Sequence, residues 1–316
     1  MIAFARHGGM PRSLRIEYAG ARYHLMSRGD RREDIFVGER DRLEFLRLLG
    51  EVCVKTGWQV HAYCLMTNHF HLVTETPQPN LVTGMRWFLG TYTQAFNRRH
   101  RQWGHLFGGR YRAQLVDDKN SFYLMQACNY VHLNPKRAGL LEPGAALQSY
   151  GWSSYPAYLQ PTLRPGWLRT DRLLGEHGLQ KDSAGNRREF SRRMEAICPI
   201  DLASEHQPLR RGWKLGAEDF GQRLAEQLGR RGRVGERASE RRETDAALAE
   251  SMVCAALSAV GWRELDLNRQ NKGHPVKIEM ARQLRKQTPM PRQWIADRLK
   301  MGSASYVSHL LSIVDS

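Results

Sequence analysis

The chain has 316 residues, room for two domains at roughly 100–200 residues each. Hydrophobic residues make up 41% and charged residues 25%, a balance that supports a packed core and excludes wholesale disorder. Lysine and arginine number 48 against 32 acidic residues, giving a formal charge of +16 and a pI near 10.0. A polyanion is the expected partner, with nucleic acid ahead of an acidic membrane surface. No membrane span is expected. The apolar stretch Ser251–Trp262 falls short of the ~20 residues needed, and Thr56–Thr74 is interrupted by His61, Asn68, His69 and His71. Met1–Met10 lacks the apolar core of a signal peptide, and residues 1–9 read as an N-terminal extension. The 5 cysteines (Cys53, Cys64, Cys128, Cys198, Cys254) are never spaced C-x-x-C. That pattern argues against a disulfide framework or zinc finger and for a reducing cytoplasm, and a nucleic-acid partner makes the expected location nucleoid-associated.

In chain order, Gly20–Arg28 reads as a strand with Tyr23 and Leu25 on one face and His24 and Met26 on the other. Arg40–Thr56 carries a helical stripe of Leu43, Leu46, Leu49, Cys53 and Val54. Gly57–Met66 and His69–Thr74 read as two strands joined tightly through Thr67-Asn68. A helix follows to about Asn97, with Leu81, Met85, Phe88, Leu89, Tyr92 and Phe96 at core spacing. Leu106–Val116 suggests a bent strand or hairpin. Asn120 or Ser121 caps a last helix, which Pro135 stops. The order β-α-β-β-α-β-α predicts an α+β, ferredoxin-like antiparallel sheet with helices on one face.

Beyond Gly144 the composition changes. Residues 10–143 form the first expected unit and 144–228 a middle segment, in which Trp152–Pro165 wraps the core. Residues 229–243 form a basic linker, and 244–316 a small all-helical domain. Met290–Leu299 and Ser303–Val314, separated by Lys300-Met301-Gly302, have a helix-turn-helix layout that competes with plain helical packing. Arg292, Arg298, Lys300 and Tyr306 are its candidate duplex contacts.

Within 10–143 three groups of residues can carry chemistry. His69 and His71 are two apart on a strand, so both imidazoles face one way with Phe70 buried behind them; they are either part of a metal site or an ordinary polar face. Tyr130 and Asn134 lie one helical turn apart, so phenol and amide share a face, unless Tyr130 merely packs and Asn134 merely ends a helix. The run Asn97–Val116 holds Arg98, Arg99, Arg101, Arg110 and Arg112 with no acidic residue, interleaved with Trp103, Phe107 and Tyr111. Arginines clamp phosphates and aromatics stack on unpaired bases, the composition of a single-strand-binding groove.

Taken together, NHFHLVTETP, FNRRHRQWGHLFGGRYRAQLV and YVHLNPKRAGL resemble the REP-associated tyrosine transposases, a branch of the single-tyrosine HUH transposases with an IS200-like domain. The resemblance spans about Met10 to Pro143, including RIEYAGARYHLMSRGDRREDIF, and continues loosely through YGWSSYPAYL and the WKLGAEDF stretch at Trp213–Phe220. It implies a DNA endonuclease and strand transferase acting on single-stranded DNA with hairpin repeats, as monomer or homodimer. His69 and His71 match the family's metal motif, Asn134 the third polar ligand and Tyr130 the nucleophile. Mg²⁺ or Mn²⁺ is the implied ion and a 5′-phosphotyrosine the implied intermediate. Tyr123 and Tyr111 are rival phenols without the four-residue spacing to an amide. The competing reading is a catalytically silent nucleic-acid-binding regulator on the same fold. No P-loop is present, so ATP-driven chemistry is not expected.

Overall fold

A computed structural model describes residues 15–197, 212–229 and 234–314, and side chains outside 228–244 and 313–314. The expected extension 1–9, Cys198 and all side chains of the 229–243 linker lie outside the described residues. Strands β1 (Ala21–Arg28), β2 (Gln59–Leu65), β3 (His69–Thr76), β4 (Arg112–Val116) and β5 (Lys214–Leu215) form one sheet in the order β2-β3-β1-β4-β5. The first four pair antiparallel in the ferredoxin-like order, and β5 adds a parallel pair at the β4 edge. A two-residue strand has no periodicity to read, so the sequence pattern gives no sign of β5.

Helices α1 (Glu39–Thr56) and α2 (Leu81–His100) lie together on one face of the sheet. The Asp41 carboxylate accepts the Val37 and Gly38 amides and starts α1, and Gly57, at φ 72°, ends it in the left-handed conformation. Phe45 and Phe88 pack against Phe70 of β3 at 4.9 and 6.4 Å between ring centroids. The period-2 alternation of β3 therefore commits Phe70 and Leu72 to this core and sends His69 and His71 to the opposite face. Across that opposite face runs α3 (Phe122–His132), in contact with β2, β3 and β4. Asn120 is its cap, accepting the Phe122 amide at 3.0 Å.

Two local expectations need correction. Only Arg112–Val116 of the 106–116 stretch is strand; Arg101, Gly104 and Gly109 take positive φ, and residues 101–111 form a loop. Pro135 does not stop the helical path. It sits in the first turn of α4 (Asn134–Arg137), where a missing N–H costs nothing.

The Trp152–Pro165 segment covers the β2 edge: Leu65 N–H donates to the Trp152 carbonyl and Ser154 N–H to the Tyr63 carbonyl, both at 2.9 Å. It includes α5 (Tyr155–Leu159), and α6 (Asp171–Glu176), α7 (Ala184–Ala196) and α8 (Phe220–Gly229) follow. The expected linker is helical from Val234, as the start of α9 (Val234–Ala259). With α10 (Glu264–Arg269), α11 (Pro275–Gln287), α12 (Arg292–Arg298) and α13 (Ala304–Val314) it builds a second apolar core around Val253, Leu267, Met280, Ile295, Leu299 and Val307. This body docks on the outer side of α1 and α2. Lys55 Nζ donates to the Arg285 carbonyl, and both cations flank the Trp87 indole, at 5.0 and 5.8 Å. Cys53, Cys64, Cys128 and Cys254 are free thiols. Among the described residues no helix is long and apolar enough to cross a membrane.

Candidate active site

The sheet face that α3 crosses holds a cleft of about 260 Å³ lined by His24, Met26, Arg28, Met66, His69, His71, Arg112, Tyr130, Asn134, Arg137 and Ala138. The two histidines of β3 and the Tyr–Asn pair of α3–α4, 59 or more positions apart in the chain, thus share one space. His71 and Tyr130 meet edge to face at 5.8 Å, and His69 and His71 lie 5.1 Å apart between centroids. The chain leaves β1 through Gly29, where a Cβ would stand 2.0 Å from the Glu33 carbonyl oxygen; only glycine allows that close approach beside the cleft.

Hydrogen bonds dispose the imidazoles for ligation. His69 Nδ1 lies 2.7 Å from Asn68 Oδ1, and Asn68 Nδ2 donates to the Arg32 carbonyl at 3.0 Å, so the amide oxygen faces His69. His69 Nδ1 is thereby the donor and its Nε2 keeps a lone pair. His71 Nδ1 lies 2.9 Å from His24 Nε2. Burial pushes His69 and His24 down to about 4, with the Arg28 charge adding to it at His69, and pushes His71 well below the usual imidazole range. All three are neutral at neutral pH, the form that binds metals. Asn134 is buried, with Nδ2 unpartnered; its Oδ1 accepts only a long 3.4 Å bond from Arg137 and retains a second lone pair. Two imidazole nitrogens and an amide oxygen fit a divalent cation.

Among the described residues the cleft's charge is one-signed: Arg28, Arg112 and Arg137 line it and no carboxylate does. Arg137 stacks on Tyr130 at 4.3 Å from ring centroid to guanidinium carbon. Such a lining suits a phosphate. Tyr111 is no rival nucleophile by placement: its hydroxyl is buried and Arg15 covers its ring at 3.8 Å.

The remaining candidates divide. Arg98, Arg101, Arg110 and Trp103 are exposed around the 101–111 loop, Trp103 at 91%. Arg99 instead pairs with the buried Asp41, tying the end of α2 to the start of α1. Phe107 packs on Phe70 and Tyr92 at 6.2 and 6.3 Å and is half-buried against the core. In the C-terminal body, Arg298 is held by Glu250 and Glu264, and Arg292 reaches Gln94 of α2 at 3.5 Å. Lys300 and Tyr306 are exposed. Among the described residues one group of at least three His, Cys, Asp or Glu ligand atoms lies within 4.8 Å, namely Glu250, Cys254 and Glu264, and the Arg298 guanidinium already bridges its carboxylates.

His24, Arg28, Asn68 and Arg137 belong to the site without having been singled out in the sequence. His24 had a signal: it shares a strand face with Met26, and that face proves to be the one toward the cleft.

Residues 17–134 match the family described as Transposase IS200 like. Among solved structures, a REP-associated tyrosine transposase bound to a REP hairpin aligns at 13% identity and a TM-score of 0.40, covering 52% of this chain and 93% of that one. No curated protein matches.

Proposed function

We propose, on the match of residues 17–134 to the family described as Transposase IS200 like, that the chain is a metal-dependent, single-strand DNA endonuclease and strand transferase with Tyr130 as nucleophile. The observation that carries the reading is the convergence of His69, His71, Tyr130 and Asn134 in one cleft lined by arginines. Arg28, Arg112 and Arg137 bind the scissile phosphate. Arg137 also fixes the ring of Tyr130 by stacking on it. The phenol oxygen forms a bond to phosphorus as the bond to the 3′ oxygen breaks, leaving a 5′-phosphotyrosine and a free 3′-hydroxyl that carries the proton. A second 3′-hydroxyl reverses the step and joins strands without ATP. His69 Nε2, His71 Nε2 and Asn134 Oδ1 are the groups to hold Mg²⁺ or Mn²⁺, which when bound neutralises charge on the phosphate and polarises it.

The substrate is single-stranded DNA beside a hairpin-forming repeat, with Trp103 stacking on an unpaired base and Arg98, Arg101 and Arg110 contacting the backbone. The test is incubation with a library of single-stranded hairpins and Mn²⁺, scoring covalent protein–DNA adducts. The wild type forms adducts, while His69→Ala/His71→Ala forms none and binds DNA within a few-fold, since arginine–phosphate contacts supply the affinity. Hairpin binding by the wild type without any adduct identifies a silent regulator instead.

A further inference from the structure

Two amides stand behind the two β3 histidines in parallel fashion. Asn68 anchors its Nδ2 on a backbone carbonyl and presents its oxygen directly to His69. Gln114 of β4 likewise anchors its Nε2, 3.3 Å from the Lys214 carbonyl of β5, which turns its buried oxygen away from β5. His24 is the direct cross-strand partner of Gln114, so the two side chains stand side by side on one face of the sheet. His24 is buried, and its Nε2 is committed to His71 Nδ1 at 2.9 Å, so the nitrogen left for Gln114 is Nδ1.

A neutral imidazole has one N–H and one lone pair, and an amide oxygen only accepts. The direction of the chain is therefore set at its β5 end. We infer that Gln114 and His24 are positioning residues that fix the tautomer of His71. Gln114 Oε1 accepts from His24 Nδ1–H, His24 Nε2 accepts from His71 Nδ1–H, and His71 Nε2 keeps its lone pair in the cleft. The reverse chain needs the Gln114 NH₂ turned to His24, giving up the Lys214 carbonyl, and puts a proton on His71 Nε2 where a cation has to bind. The consequence for ligation rests on the metal reading above; the tautomer does not. Lys214 lies outside the family-matched residues 17–134. A segment that looks like an edge cover thus reaches a cleft histidine through two side chains.

The experiment reads the tautomer and metal affinity separately on the full-length protein. Long-range ¹H–¹⁵N spectra of the metal-free wild type show His71 protonated on Nδ1. In His24→Leu and Gln114→Met the signal moves toward the Nε2-protonated form. His24→Gln, whose oxygen can accept from His71 Nδ1–H, restores the first form. Mn²⁺ titration followed by electron paramagnetic resonance shows affinity lower by about 10–100-fold in His24→Leu, as is usual for lost outer partners, and largely recovered in His24→Gln. An unchanged His71 tautomer in both His24→Leu and Gln114→Met overturns the inference. Should His24→Leu not fold, Gln114→Met alone decides it. A wild type that binds no Mn²⁺ removes the metal reading, while the spectra still settle the relay.

Discussion

Replacing Tyr130 by Phe removes one oxygen and leaves the ring where it packs. The edge contacts to His24 at 5.6 Å and His71 at 5.8 Å survive, as does the Arg137 stack at 4.3 Å. What is lost is a hydroxyl in a half-open cleft, worth about 0.5–1.5 kcal/mol if it is hydrogen-bonded. In a domain of this size that shifts the melting temperature by no more than about 6 °C. The chemical loss is of another order, since removing a nucleophile typically costs on the order of 10⁶ in rate. The assay is a denaturing gel with single-stranded hairpin DNA labelled at its 3′ end, the part that stays on the tyrosine. Wild type gives a labelled protein band; Tyr130→Phe gives none, while melting and hairpin binding stay near wild type. A labelled band from Tyr130→Phe, or its loss in Tyr123→Phe alone, refutes the assignment of the nucleophile.

Trp103→Ala separates binding from folding. At 91% exposure the indole supports no core, so stability stays within about 0.5 kcal/mol. Single-strand affinity falls by about 1–3 kcal/mol if a base stacks there, as a fluorescence titration reads. Arg298 and Lys300 should part company in the same way. Arg298→Met loosens the C-terminal body, seen as faster amide exchange in α10 and α12, because Glu250 and Glu264 lose their shared partner. Lys300→Ala leaves exchange unchanged and, if α12–α13 touch duplex DNA, lowers the salt slope of binding by about 1. Glu75 gives a pH signature. Burial opposes its charge, but His61, Arg172 and Arg22 overcome that and hold the carboxyl at about 2 in the folded state. A depressed carboxyl stabilises the fold fully above its unfolded pKa, and the stabilisation, on the order of 2 kcal/mol, is lost as pH falls toward 2. Glu75→Gln should therefore melt lower than wild type at pH 7, and the gap should close between about pH 4.5 and pH 2.

Local periodicity carried much of this protein. His69-Phe70-His71 had to send two imidazoles to one face because strand side chains alternate, and Tyr130 and Asn134 had to share a face because a helical turn takes about four residues. The ferredoxin-like order followed from the succession of short-linked elements, and the basic charge from counting. Pairing across the sheet was a different matter. That β3 and α3 meet over one cleft, that His24 stands behind His71, and that Lys214, 100 positions beyond Gln114, holds its amide all depend on contacts between residues far apart in the chain. The same holds for which arginines are available. Arg99 and Arg298 look like their neighbours in sequence, yet Asp41 claims one and Glu250 with Glu264 the other. A side chain's partners are set by what folding brings beside it. Sequence spacing reaches only one strand or one helix, and everything that passes between them is decided by packing.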